Sequence, residues 1–389
     1  MLEMAQLASG QLEKRLVKGA KVIEAADNLP NNQYVIRIVD GYVPCVSNRN
    51  AQFQAGLIKK CLDPVAVNRI SAEQLLHELQ EKQFIVFYPS AWKFDHRFLI
   101  LFDPTVGCFT VEKVVNAPAA LRRGGLSAHH RQIKPIEIIF TERSHVDTNG
   151  FSKFRFWNVG RNTWRELALP LNVGLAEDFI VVNHKIYILG YNQRFMEIDT
   201  YTGMATALDD SPVEAGMELL LSQVAKSDDQ IYFATRYRLY RYNIIIGKWE
   251  ALQNLPQWRA AFAMAVVNGY LYIIGGYVLS AYDSASSDCI RLNLNTGTWE
   301  EIEPLGQPRC RHAVHVINDR IYVCGGNHSE AEPAQTIEMY NTKHGGGWST
   351  INFLQKNVNL LSDLASTVIR PWQFITATST CLNASESIN

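Results

Sequence analysis

Short apolar runs framed by turn-forming residues recur along the chain from residue 83 onward. Each run is rich in β-branched and aromatic residues and stops at, or close to, a glycine, which is typical of a strand that ends in a turn. The clearest copies are NHKIYILGY (183–191), DDQIYFATR (228–236), NGYLYIIGGY (268–277) and NDRIYVCGGN (318–327). The tyrosines that they share, Tyr187, Tyr232, Tyr272 and Tyr322, are 45, 40 and 50 residues apart. The pattern therefore predicts a repeated β unit.

A second landmark follows each run. An aromatic or aliphatic residue is followed seven positions later by a large aromatic residue, across a turn rich in Asn, Asp and Gly, which predicts two strands joined by a tight hairpin. The pairs are Phe102/Phe109, Trp157/Trp164, Ile198/Ala205, Tyr242/Trp249, Leu292/Trp299 and, with one extra residue, Tyr340/Trp348. Ala205 is the exception to the aromatic second member. Because the aromatic member otherwise recurs at a fixed position, we expect it to pack between repeats.

The repeats number six. Residues 83–90 and 134–140 supply the corresponding strand for the first two units, and a further strand precedes the turn pair in the later units. A unit of 40–50 residues with four strands is typical of a propeller blade. The first unit lacks a strand before Gln83, and one C-terminal strand, either ASTVI (365–369) or WQFITAT (372–378), is left over to complete it. The sequence thus predicts an all-β, six-bladed propeller over residues 83–376, closed by its C-terminal strand.

The spacing of Gly-Gly, Tyr and Trp resembles the Kelch repeat, most closely in residues 257–300 and 307–349. Units before residue 215 are degenerate, and we place Leu189-Gly190 and Ala234-Thr235 where the resemblance expects Gly-Gly. The resemblance covers about three-quarters of the chain and implies a Kelch β-propeller.

The N-terminal residues 1–82 have a different pattern. Ser71-Ala-Glu-Gln is a capping box that opens a predicted helix, and residues 57–85 resemble the last helices of a BACK domain. The chain therefore resembles the BTB–BACK–Kelch family without its BTB domain, followed by a C-terminal tail at 377–389. In that family the BTB domain binds a cullin. The sequence leaves open whether the chain is a truncated form or a relative that works without a cullin.

Composition narrows the possible partners and compartments. The net charge of −1 lacks the basic excess of a nucleic-acid-binding protein. The seven cysteines include no C-x-x-C pair, which argues against a disulfide framework or structural zinc and favours a reducing compartment. The N-terminus has no signal-peptide pattern, and the longest apolar stretch, 260–276, is too short to cross a bilayer. We expect a cytoplasmic protein, with cytoskeleton or nucleus as alternatives, and no membrane partner.

No catalytic motif is present, and we expect no enzyme activity, cofactor or metal. His312 and His315 are three residues apart on a predicted strand, so they point to opposite faces and cannot share a metal ion.

Two loops that precede predicted inner strands supply the first candidates for partner binding. They carry Trp258, Arg259, Arg309, Arg311 and His312. Guanidinium groups are permanently charged and bind carboxylates in a forked geometry. The family resemblance implies that Arg259 and Arg311 hold acidic groups of a bound degron. The alternative is that each arginine pairs with a nearby loop carboxylate or stacks on Trp258.

Further candidates lie after the Gly-Gly positions, where long polar loops on a rigid scaffold favour recognition. These candidates are Tyr277, Tyr282, Asn327 and Arg236. The sequence therefore predicts a module that binds a protein substrate or degron peptide. By resemblance, its role is substrate recognition for a cullin–RING ubiquitin ligase; the alternative is an actin-binding or scaffolding protein that needs no cullin.

Overall fold

The computed structural model describes most of the region predicted to form the propeller. The described residues are 83–89, 98–104, 108–113, 126–129, 137–143, 151–158, 163–168, 179–189, 194–209, 211–212, 223–227, 229–278, 284–328, 334, 336–352 and 364–369. In these ranges all regular structure is β. No helix among them has the length and apolarity to span a membrane. The predicted BACK-like helices of residues 1–82 and the tail at 377–389 lie outside the described residues.

Six four-stranded sheets form the six blades, and the strands of each blade are given below in order from the inner to the outer edge. The pairings in blades 2 to 6 are antiparallel. Blade 1 consists of β26 (Leu364–Ile369), β1 (Phe84–Pro89), β2 (Phe98–Asp103) and β3 (Cys108–Lys113). Blade 2 consists of β4 (Leu126–His129), β5 (Glu137–Arg143), β6 (Phe151–Asn158) and β7 (Thr163–Ala168). Blade 3 consists of β8 (Phe179–Val182), β9 (Lys185–Leu189), β10 (Phe195–Asp199) and β11 (Ala205–Ala207).

The remaining blades follow the same order. Blade 4 consists of β12 (Gln223–Lys226), β13 (Gln230–Ala234), β14 (Leu239–Asn243) and β15 (Lys248–Ala251). Blade 5 consists of β17 (Ala263–Val267), β18 (Tyr270–Ile274), β20 (Cys289–Asn293) and β21 (Trp299–Ile302). Blade 6 consists of β22 (Ala313–Ile317), β23 (Arg320–Cys324), β24 (Thr336–Asn341) and β25 (Trp348–Asn352). A separate two-stranded sheet pairs β16 (Arg259–Ala260) with β19 (Tyr277–Val278).

The inner strands form a closed ring. In cyclic order β26, β4, β8, β12, β17 and β22 each contact the next, and β22 contacts β26. The predicted six blades are therefore confirmed. The closing strand is the first of the two alternatives, because β26 covers residues 365–369 and pairs with β1.

By its internal contacts the chain divides into two compact units. The described residues of the first unit are 83–84, 100–104 and 108–113. All other described residues, including the six inner strands and every residue of the site below, belong to the second unit.

The predicted hairpins have the predicted register. Trp249, Trp299 and Trp348 lie directly opposite Tyr242, Leu292 and Tyr340 on the neighbouring strand. Each of these indoles also donates its Nε1–H to a backbone carbonyl that follows the preceding blade, at Asp209, Asn254 and Glu303 respectively. The repeated tryptophan therefore both packs and hydrogen-bonds between blades.

The Gly-Gly pairs solve a steric problem where the second strand ends. Gly275 and Gly276 have φ of 57° and 93°. A Cβ at Gly276 would stand 2.6 Å from the Ala260 carbonyl oxygen and 2.8 Å from the Phe262 Cβ. Glycine is required because it tolerates both the left-handed backbone and the close approach of the loop that leads into the first strand.

Candidate functional site

The upper face of the propeller is the end of the blades where each first strand begins and each second strand ends. In blades 5 and 6 it contains the two loops predicted to bind a partner. The loop before β17 contains residues 255–262, and the loop before β22 contains residues 305–312. Their backbones have equivalent hydrogen bonds, since Leu255 N–H donates to Tyr237 O and Leu305 N–H donates to Ser287 O.

Arg309 is completely buried in blade 6. Its guanidinium donates to the backbone oxygens of Gly325 at 2.9 Å and Thr336 at 3.0 Å, and to the Thr336 hydroxyl. It also forms a buried ion pair with Glu338, with Nη2 2.9 Å and Nε 3.1 Å from Oε1. Glu338 in turn accepts the backbone N–H groups of Gly306 and Gln307 at 2.6 and 3.3 Å. These bonds fix the loop. The binding role predicted for Arg309 stays a prediction, and its burial in the ion pair favours the alternative of a structural arginine.

Arg259 has the equivalent position in blade 5 and is also completely buried. It donates to the backbone oxygens of Gly275 and Asp288, both at 2.8 Å. The position of Glu338, however, is taken by Ile290, and the Nε and Nη2 atoms of Arg259 have no hydrogen-bond partner among the described residues. Burial lowers the pKa of Arg259, and the nearby Asp288 opposes this shift. The binding role predicted for Arg259 stays a prediction, and its position within the blade favours the alternative of a structural arginine.

Arg311 is exposed on the upper face. It adopts φ of 53°, a left-handed conformation that is uncommon for a residue with a side chain. The equivalent residue of blade 5, Ala261, has φ of 51°. The Arg311 N–H donates to the Ala261 carbonyl at 2.8 Å, so the two loops lie side by side. The backbone at this position is thus set by the repeat, and the outward side chain is free to vary between blades.

The loops after Gly-Gly in blades 5 and 6 lie beside the loop that carries Arg311. Tyr277 packs against a buried cluster of Ala261, Ala285 and Cys310, and the backbone of Asn327 pairs with Cys310 through two hydrogen bonds of 2.9 and 3.0 Å. Tyr277 and Asn327 are both half-buried. The structure therefore brings these candidates next to the loop that carries Arg311. Tyr282 lies outside the described residues.

His312 is buried beneath this surface. Its Cε1 would be 2.9 Å from a Cβ at Gly275, which places the ring against the Gly-Gly turn of blade 5. Neither ring nitrogen makes a well-formed hydrogen bond within the described residues. Burial, reinforced by the Arg309 charge, lowers the pKa of His312 to about 3, against a weaker opposing effect of the Ile274 carbonyl. Its buried position corresponds to that of Phe262 in blade 5.

His315 lies within β22 and has a separate environment, whereas His312 precedes that strand, so the prediction that both histidines lie on one strand was wrong. The His315 Nε2 lies 2.8 Å from the Ser366 hydroxyl on the closing strand, and burial lowers the pKa of His315 to about 4. The described residues contain no group of three His, Cys, Asp or Glu side chains arranged to hold a metal ion.

Blade 4 departs from the pattern at its upper end. β13 ends at Ala234 just as β18 ends at Ile274, so Thr235-Arg236, and not Ala234-Thr235, stands where blade 5 has Gly-Gly. The placement of the degenerate pair from the sequence was therefore wrong by one residue, because Ala234 still belongs to the apolar strand. Arg236 lies over the ring of the buried Trp258, with its guanidinium carbon 5.4 Å from the ring centroid.

Glu338 is the important residue that sequence reasoning missed. It lies two positions before Tyr340, within a strand, where an acidic residue would otherwise be taken for a solvent-facing one. Its 0 % exposure and its bonds to the loop of Arg309 show that it is part of the core. A comparison of the repeats position by position would have shown a charge at the place of an apolar Ile290 in blade 5.

Comparisons with known proteins agree with this geometry. The Kelch motif matches residues 259–306 and 308–345, which include blade 5 and the first three strands of blade 6. No curated protein sequence matches the chain significantly. Among solved structures, "Structure of YjhT" is similar with a TM-score of 0.52 and 14% sequence identity, covering 65% of this chain and 91% of that one. At that identity the likeness concerns the fold alone.

The fold and the motif together define a six-bladed propeller with Kelch motifs. Propellers of this class are typically protein-binding modules and are generally not enzymes.

Proposed function

We propose that this chain is a protein-binding module that holds an acidic group of its partner at Arg311. The observation that carries the proposal is the contrast among the arginines of the two loops before β17 and β22, here called the Kelch loops. Arg259 and Arg309 are buried and bonded inside their blades, whereas Arg311 is exposed in a rigid loop on the upper face. A charge that the fold does not use, held on a fixed backbone, suits recognition of a carboxylate or phosphate.

The surroundings of Arg311 support the same function. The loop before β22 is fixed by Glu338 and Arg309, so the partner would meet a preorganised surface. The half-buried Tyr277 and Asn327 border the loop and offer an aromatic ring and an amide for additional contacts.

The biological role that we propose is substrate recognition for a cullin–RING ubiquitin ligase. This role rests on the resemblance of residues 57–85 to a BACK domain and on the Kelch motifs. In the family that the chain resembles, binding to the cullin is the function of the BTB domain. The alternative role is an actin-binding scaffold.

The test is quantitative affinity purification of the full chain from cells, comparing the unmodified protein with Arg311→Ala and Arg320→Ala. Arg320 is an exposed arginine at the other end of the same blade and is the matched control. We expect Arg311→Ala to bind the main partner about 10- to 100-fold more weakly, because a charge-assisted hydrogen bond is lost. Binding by the unmodified protein should also weaken as the salt concentration rises, because salt screens exposed charges.

The results distinguish the proposed Arg311 site and the two proposed roles, ligase adaptor and actin-binding scaffold. Equal recovery of partners by all three proteins would refute the proposed site. A cullin among the partners supports the ligase role, whereas cosedimentation with actin filaments that is indifferent to Arg311 supports the scaffold.

A further inference from the structure

A line of backbone hydrogen bonds crosses the upper face from blade 4 to blade 6. The Arg259 N–H donates to the Arg236 carbonyl at 3.0 Å, and the Arg311 N–H donates to the Ala261 carbonyl at 2.8 Å. The turn of blade 4 and the two Kelch loops are therefore laid side by side. Neighbouring strands are about 4.8 Å apart and two residues of strand span about 6.6 Å, so the Cα atoms of Arg236 and Arg311 are roughly 10–16 Å apart.

The turn of blade 4 is short and well fixed. It contains only residues 235–238 between β13 and β14, whereas residues 275–288 connect β18 and β20 in blade 5. The Thr235 N–H donates to the Arg238 carbonyl at 2.8 Å, and the Arg238 N–H donates to the Thr235 hydroxyl at 3.1 Å. Tyr237 remains 45 % exposed at its tip. The short turn leaves the upper face of this blade uncovered by its own chain.

The charge of Arg236 is not neutralised inside this turn. Its side chain is half-buried on Trp258, its Nε has no hydrogen-bond partner, and it forms no ion pair within the described part of the chain. Stacking on an aromatic ring fixes the plane of the guanidinium and leaves its edge for an anion. Arg238, two residues on, is also exposed and adds to the positive potential.

We infer that Arg236 and Arg311 are two subsites for one extended segment that carries two anionic groups, spaced by about three to five residues. An extended chain rises about 3.3 Å per residue, which matches the distance between the two arginines. Ala261, with its small side chain, lies between them on the hydrogen-bonded line. This inference rests on the proposed function, since it takes Arg311 as the first subsite and adds the second.

The test uses synthetic peptides of Gly, Ser and Ala with a neutral fluorescent dye. One series carries two glutamates separated by one to eight residues, a second carries two phosphoserines at the same spacings, and single-anion peptides serve as references. Binding to the full chain is followed by fluorescence anisotropy. We expect peptides with a spacing of three to five residues to bind at least about tenfold more tightly than single-anion peptides. The two series show whether carboxylate or phosphate is preferred.

Three variants assign the effect to its source. Arg236→Ala should reduce the two-anion peptides to the affinity of single-anion peptides, whereas Arg311→Ala should weaken both kinds. Lys248→Ala removes an exposed cation at the other end of blade 4 and should change neither. Thermal unfolding of each variant checks that it is folded.

The outcomes distinguish the two proposals. Affinity that does not depend on spacing, or that Arg236→Ala leaves unchanged while Arg311→Ala abolishes it, would overturn the second subsite and preserve the proposed function. Affinity that is indifferent to Arg311→Ala, or no binding of any peptide to the unmodified chain, would overturn both.

Discussion

At the scale of single residues, buried charge separates blade 5 from blade 6. Both blades bury an arginine at the same position, but only Arg309 has a carboxylate opposite it. Glu338 accepts from Arg309 and from two backbone N–H groups, so the pair is almost completely compensated. In blade 5 Arg259 depends on backbone carbonyls and on the more distant Asp288.

Glu338→Gln should therefore destabilise the propeller by about 3 kcal/mol, since it leaves a buried guanidinium without its counter-charge. Urea unfolding followed by circular dichroism measures the change in the free energy of unfolding. Glu300→Gln is the matched control, because Glu300 is paired with Arg291 at the surface and should cost less than about 1 kcal/mol. Similar losses in the two variants would contradict the structural role of the buried pair.

The buried His312 makes stability depend on pH. Its folded pKa of about 3 lies below the ordinary value of 6.5, so between these values the unfolded chain binds a proton that the folded chain does not. The free energy of unfolding should therefore decrease as the pH falls below 6.5, towards 3.

His312→Phe, which copies Phe262 of blade 5, should remove part of this dependence. His315, with its pKa of about 4, contributes a further part. Melting temperatures measured between neutral and mildly acidic pH test this expectation. Parallel pH profiles for the variant and the unmodified chain would show that His312 is not the responsible group.

The site could be predicted from the sequence only in part, for a reason that lies at this scale. Arg259, Arg309 and Arg311 occur in similar loops, and residue type alone does not separate them. What separates them is an offset of two residues. Arg259 and Arg309 point into the blade towards Gly275 and Gly325, whereas Arg311 lies two positions later with its side chain outside. Which arginine faces the Gly-Gly turn depends on how the loop packs in the folded blade, and the spacing of apolar residues along the sequence does not show this.

At the scale of elements, turns carry much of the repeat's identity. In blades 3 to 6 the hairpin between the third and fourth strands begins with an Asn or Asp whose side chain accepts N–H groups two and three residues later. Asp199, Asn243, Asn293 and Asn341 all have this arrangement. These turns could be predicted from the sequence because an Asx turn is an interaction between residues close in the chain. The Gly-Gly turns could be predicted only in blades 5 and 6. Blade 4 replaces the pair with Thr235-Arg236 and has a shorter connection.

Gly276→Ala should cost more than the strain of a left-handed backbone alone, because its Cβ would enter the space of Ala260 and Phe262. We expect a loss of about 3 kcal/mol or more. Gly297→Ala isolates the backbone component: φ is 71° there, and no atom lies within 4 Å of the added Cβ. This control should lose only about 1 kcal/mol, and equal losses in thermal unfolding would show that close approach at Gly276 is unimportant.

At the scale of the whole molecule, the fold was predictable because the same strand-and-turn pattern occurs in every unit, although the pattern of a single unit would be weak evidence. Six copies of one strand-and-turn pattern, with one strand missing at the start and one left over at the end, define a closed ring. The inner strands confirm that closure. The choice between 365–369 and 372–378 stayed open in the sequence because both are short apolar runs of β-forming residues, and pairing with β1 decides it.

A chain that ends after residue 363 should lose cooperative unfolding and aggregate, because β1 would keep an unpaired edge and the His315–Ser366 hydrogen bond would be absent. A chain that ends after residue 369 retains β26 and is the matched control. Calorimetry and light scattering compare the two. Identical behaviour would mean that β26 is dispensable for closure.

The use of a C-terminal strand to complete the first blade also has a consequence for biosynthesis. At the usual rate of about 5–20 residues per second, the ribosome needs about 15 to 60 seconds to travel from the codons of β1 to those of β26. During that interval the edge of β1 waits for a partner that has not been translated. The nascent chain should therefore expose one unpaired strand edge throughout synthesis, and such an edge is prone to pair with other chains.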